Sequence, residues 1–64
     1  MQLNGQPISA AAGITLSQLL VQQGFDTARV AVELNGTIIC RSDFSKVQLA
    51  GSDTIEVVQF VGGG

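Results

Sequence analysis

Histidine, tryptophan and tyrosine are absent from the 64 residues, cysteine and proline occur once each, and only three side chains are basic. Without histidine the chain lacks the side chain best suited to proton transfer at neutral pH and the commonest metal ligand. Cys40 stands alone, so no internal disulfide and no cysteine–histidine metal cluster can offset the entropy of so short a chain. Arg29, Arg41 and Lys46 face five acidic residues, a formal charge of −2. That balance, with no tryptophan or tyrosine to stack on bases, argues against direct binding to nucleic acid. No apolar run approaches the roughly 20 residues of a membrane span. The opening stretch "MQLNGQPIS" has neither the basic nor the apolar region of a secretory signal, and with a single unpaired thiol it predicts a cytoplasmic protein.

What is present is aliphatic. Hydrophobic residues make up 45% of the chain and charged ones 12%, a balance that decides for a folded core over disorder. The length allows one domain.

Periodicity divides that domain. Leu3 and Ile8 flank "NGQ", a short hairpin signal on Asn4-Gly5, and Pro7 is expected to turn its missing N–H away from a partner strand. At "GITLSQLLVQQGF" the spacing of Leu16, Leu19 and Leu20 becomes helical, with Thr15 and Gln18 as a capping box and Gly24-Phe25 as a stop. The pattern predicts a helix over about residues 16–23. "RVAVELNGTIICR" returns to period two and breaks at Asn35-Gly36, which predicts a second hairpin. "SDFSKVQLAGSD" reads as an irregular crossing anchored by Phe44, Val47 and Leu49, with a short turn or single helical turn. Residues 54–61 are the best strand, placing Ile55 and Val57 on one face and Glu56, Val58 and Phe60 on the other.

One helix can cover only one face of one sheet, so the order predicts a two-layer α+β domain. The long last strand fits best in the middle, beside the first, with the hairpins outside. That is a β-grasp: a mixed sheet of four to five strands on one helix. It spans residues 1–61, with 62–64 as a flexible glycine tail.

Internal catalysis has little to work with. Asp26, Glu33, Asp43, Asp53 and Glu56 show no paired spacing, and Asp53 reads as turn chemistry beside Gly51-Ser52. Cys40 reads as a small buried hydrophobe, since most free cysteines following apolar strand residues are that. Arg41 is the basic residue most expected to meet a partner's acid. No catalytic or metal-binding residue is expected, and no cofactor bound by this chain.

The ending "FVGGG" remains. Gly62, Gly63 and Gly64 lack a Cβ, and extended they reach about 10 Å, thin enough for a channel that excludes side chains. The final carboxylate, ionised at neutral pH, is a usable nucleophile. Attack on the α-phosphate of ATP in a partner would give an acyl-adenylate that a sulfur or amine nucleophile can open. The other reading is a frayed end or linker.

The strand order, the terminal Gly63-Gly64 and the stretches "TLSQLL", "VAVELNG" and "GSDTIEVVQFVGGG" resemble the ubiquitin-like sulfur carrier family of thiamin thiazole biosynthesis along the whole chain. That resemblance implies that an adenylating, ubiquitin-activating-like enzyme activates Gly64 with ATP and magnesium. Sulfur from a cysteine desulfurase then yields a thiocarboxylate, and thiazole synthase consumes it. Gly64 would carry the acyl and sulfur groups, Gly62 and Gly63 would thread the partner, and Val58, Phe60 and Val61 would dock. The alternative for Phe60 is packing against a loop at the sheet's end. Related alternatives are the small subunit of molybdopterin synthase, whose tails carry a proline that is absent here, a carrier for tRNA thiolation and a protein-conjugating modifier. Outside that class stands a β-grasp binding module with an inert tail.

Overall fold

A computed structural model describes residues 1–61; the expected tail, 62–64, lies outside the described residues. The elements are β1 (Gln2–Leu3), β2 (Gln6–Pro7), α1 (Leu16–Gln22), β3 (Val30–Leu34), β4 (Thr37–Ile39), a 3₁₀ turn (Arg41–Asp43) and β5 (Thr54–Gln59). The sheet runs β2-β1-β5-β3-β4, with β5 parallel to β1 and antiparallel to β3. This is the expected β-grasp: the last strand lies in the centre and both hairpins lie outside.

Local chemistry sets the element ends. Asn35 and Gly36 take φ of 50° and 86°, as do Asn4 and Gly5 at 51° and 80°, the paired left-handed residues of a tight hairpin turn. The helix starts where Gln18 N donates to Thr15 Oγ1 (3.1 Å) and Thr15 N donates to Gln18 Oε1 (3.0 Å), the expected capping box. It stops where Gly24 turns to φ 85°, with Phe25 N donating to Leu20 O and Gly24 N to Val21 O. Those two bonds satisfy carbonyls that the helix end would otherwise orphan. Ile8 N donates to Met1 O, so alternation makes Gln2 and Pro7 a non-hydrogen-bonded pair and leaves proline's missing donor on the open edge.

The helix buries Leu16, Leu19 and Leu20 completely against the inward residues of the sheet, Val30, Val32, Ile55 and Val57. Phe44, Leu49 and Ile14 close the core from the crossing segment. That segment is held to the helix start by Leu16 N donating to Val47 O and Leu49 N to Ile14 O. It contains the expected helical turn and an isolated bridge between Thr15 and Gln48.

Asp53 has the structural job expected of it. Its carboxylate accepts from Ala50 N (2.7 Å) and from Asn35 Nδ2 (2.9 Å), tying the turn before β5 to the β3–β4 turn. The Ala50 amide first, and Asn35 second, hold its pKa below the ordinary aspartate value. A depressed folded-state pKa adds stability above the unfolded value of about 4, and that stability is lost as pH falls through the folded value. Loss of the two hydrogen bonds in Asp53→Ala, both exposed and weakened by solvent, is expected to cost no more than about 1 kcal/mol at neutral pH. In urea titrations at a series of pH values the gap between variant and parent should narrow on acidification below about pH 4. A gap that widened in acid would show that the carboxylate is not the group holding the two turns.

Cys40 corrects the sequence reading: it is exposed. β4 is the outermost strand and ends at half-buried Ile39, so Cys40 falls where the chain leaves the sheet for the 3₁₀ turn, beyond the core.

Candidate functional site at the end of the last strand

The sheet has two unlike faces. Cross-strand neighbours lie on the same face, so the pairs Ala31–Val58, Glu33–Glu56 and Glu33–Ile38 all project away from the helix. No element covers that side among the described residues. Ile38 is 75% exposed, Val58 60% and Phe60 56%. Ala31, Glu33, Ile38, Glu56 and Val58 line a shallow hollow there. Phe60 therefore belongs to an open apolar surface and not to the core, and Val61, beyond the strand, is also exposed. Two glutamates directly opposite one another give this apolar strip an acidic border, a placement that costs stability in the isolated domain.

The three expected docking residues thus stand together at the end of β5. The glycines that follow, Gly62, Gly63 and Gly64, are outside the described residues. Between them the strand end is anchored by groups that sequence reading did not single out. Asn4 was read only as a turn former. Its side chain also acts as a one-residue strand: Val57 N donates to Asn4 Oδ1 (2.7 Å) and Asn4 Nδ2 donates to Val57 O (3.2 Å). The open flank of β5 beyond β1 is thereby satisfied at Val57. At the next inward position Gln59 Oε1 accepts from Asp26 N (3.1 Å), and Phe60 N donates to Arg29 O (2.7 Å). Gln59 was detectable as a polar residue where period two calls for an apolar one; its partner was not.

Arg41 is also engaged within the domain: its Nε donates to Thr27 O (3.1 Å) and an Nη to Val30 O (3.4 Å), so the guanidinium braces the chain where it enters β3. Asp26 is a loop residue, as expected, with Oδ1 accepting from Ala28 N (3.0 Å). Its ion pair with Arg29 is exposed on both sides and adds little. No described helix is long and apolar enough to cross a membrane.

A mixed sheet gripping one helix, with an open apolar outer face and a central last strand that runs out toward glycines, defines a ubiquitin-like β-grasp protein. Comparison with known proteins narrows the class. The ThiS family model matches residues 1–64. The crystal structure of a thiamine biosynthesis protein (ThiS) from Geobacter metallireducens superposes with a TM-score of 0.80 at 30% identity, covering 98% of this chain and 96% of that one. The sulfur carrier protein ThiS of Bacillus subtilis is 37% identical over 65 residues, covering 100% of this chain and 98% of that protein. A thiazole synthase of Magnetococcus marinus is 47% identical over 64 residues, but the chain spans only 20% of its length. The chain belongs to the ThiS family.

Proposed function

We propose that the protein is a sulfur carrier in thiamine biosynthesis, a protein cosubstrate with its catalytic machinery on its partners. The observation that carries this reading is the end-to-end match to the Bacillus subtilis sulfur carrier. The open apolar face at the root of the tail supports it. A partner of the adenylating, ubiquitin-activating-like class would bind ATP and magnesium and receive Gly64 through a channel sized for Gly62 and Gly63. The carboxylate oxygen attacks the α-phosphate, pyrophosphate departs, and the acyl carbon becomes electrophilic. Hydrosulfide adds to that carbon and expels AMP, leaving a thiocarboxylate and releasing a proton; sulfur delivered from a cysteine desulfurase as a persulfide instead gives an acyl disulfide, which a thiol reduces to the same thiocarboxylate while becoming a disulfide. Thiazole synthase is the proposed acceptor, a reading favoured by the similar segment within the Magnetococcus marinus thiazole synthase.

Incubation with the adenylating enzyme, magnesium-ATP and a sulfide source tests the reading by intact mass. The expected product is heavier by the difference between sulfur and oxygen; an unchanged mass with an enzyme competent on its own carrier overturns it.

Val58, Phe60 and Val61 are the proposed docking residues, offered to a partner groove that is apolar and bordered by a cation complementary to Glu33 and Glu56. Phe60→Ala should cost no more than about 1–2 kcal/mol of folding stability, because more than half of the residue is already exposed. If the ring is an anchor at the interface, its loss should weaken binding to the adenylating enzyme about tenfold in calorimetry. Unchanged affinity would remove Phe60 from the docking surface.

A further inference from the structure

We infer that the Asp26–Arg29 loop is a bracket that sets the direction in which the chain leaves the sheet, and that Gln59 and Arg41 are positioning residues for the reaction at Gly64. The inference rests on the carrier reading above and extends it to residues away from the docking face.

The bracket is built from both sides. Gln59 sits at an inward position of β5, in series with buried Ile55 and Val57, yet it is polar and exposed. Its side-chain oxygen is spent on Asp26 N (3.1 Å), far away in sequence. The next residue, Phe60, gives its N–H to Arg29 O at 2.7 Å. Two consecutive residues at the root are thus tied to one loop. That loop is itself held in shape: Arg29 N donates to Asp26 O (2.9 Å), Ala28 N to Asp26 Oδ1 (3.0 Å), and Arg41 donates to Thr27 O within it and to Val30 O at the start of β3. Arginine's planar fork can hold two carbonyls at once, which a lysine ammonium on its single stem does less well.

The need for such a bracket follows from the sequence beyond it. Gly62, Gly63 and Gly64 offer no side chain by which a partner could orient them, so aim must come from the docked domain and from the root. Phe60 presents its ring to the outer face while its amide is held by the loop, which fixes one relative to the other. Reaction rates depend steeply on such alignment: a misplacement of about 1 Å can cost about a hundredfold. Docking affinity depends less on the root, because Ile38 and Val58, with Glu33 and Glu56, are carried by β3, β4 and β5 whether or not the loop is braced, and only Phe60 and Val61 move with it.

The test uses Gln59→Met, which keeps length and loses the acceptor, and Arg41→Gln, which loosens the loop from the other side. Neither residue lies on the docking face. Pyrophosphate release by the adenylating enzyme, with the carrier as varied substrate, should show kcat reduced about tenfold for each variant, with any rise in KM smaller than that fall. Residual dipolar couplings of the Phe60 and Val61 N–H vectors, measured without any partner, should change in both variants, while those of β1 and β3 do not. Unchanged kcat with altered couplings would show that the bracket orients the root but not the reaction, overturning the positioning role. Unchanged couplings would overturn the bracket itself. Raised KM at constant kcat would make Gln59 a docking residue instead. Failure of the parent to release pyrophosphate would strike at the carrier reading and leave the bracket to be judged by the couplings.

Discussion

Removing Gly64, or adding one residue after it, is expected to abolish the sulfur-for-oxygen mass gain while leaving the domain folded. The reasoning is geometric. An acyl-adenylate forms only if the carboxylate oxygen lies in line with the α-phosphate, and reacting atoms must approach to about 3–3.5 Å. One residue of extended chain is about 3.5 Å. A tail shorter or longer by that amount puts the nucleophile a full contact distance from its target, and a side chain in place of glycine would also have to pass the channel. The loss should be at least a hundredfold in initial rate, with circular dichroism and thermal midpoint unchanged. Sulfur incorporation by the truncated protein at the parent rate would place the acyl group elsewhere and remove Gly64 from the mechanism.

The second large effect concerns the core. Ile55→Ala is expected to cost about 2–5 kcal/mol, read from chemical unfolding. Ile55 is fully buried and lies in β5 opposite Leu3 of β1 and Leu34 of β3. Truncating it empties the junction of both halves of the sheet beneath the helix. Global stability at this length is on the order of 3–10 kcal/mol, so the variant should lose a large part of it. A loss below about 1 kcal/mol would mean that neighbouring leucines collapse into the space, and would count against Ile55 as the core's keystone. The contrast with Phe60→Ala matters: Ile55 lies on β5 and Phe60 directly follows it, and the effects of their truncation should separate into stability for one and association for the other.

The fold was legible because its signals are local. Thr15 and Gln18 are three positions apart, Asn35 and Gly36 are adjacent, and the leucines of α1 repeat within one turn, so propensity and spacing carry their own confirmation. The central place of β5 followed from counting: one helix, two hairpins and one long strand fit together economically in one way. What stayed hidden was contact between distant positions. Nothing in the neighbourhood of Gln59 points to Asp26, and nothing near Arg41 points to Thr27, because those pairs meet only after the sheet has formed. Asn4 joins β5 through its side chain in a role that its sequence context, a plain turn dipeptide, does not advertise. Cys40 failed for a related reason. "TIIC" reads as a buried strand, but β4 is an edge strand of three residues and its continuation leaves the core. Of the candidate site, Val58 and Phe60 were legible through alternation along β5.

Parallel pairing of β1 with β5 has a consequence for how the protein comes into being. Gln2 meets Thr54 and Leu3 meets Ile55, so β1 waits for a strand 52 positions further on. Such distant pairing slows folding, because the closure entropy of so long a loop must be overcome before the contacts form. During synthesis the two hairpins and the helix can form early, but the sheet has no centre until residues 54–59 have emerged. The strand that completes the sheet is also the one that leads to the glycines, so until it has paired the domain has neither a stable sheet nor a fixed root at Phe60 and Val61.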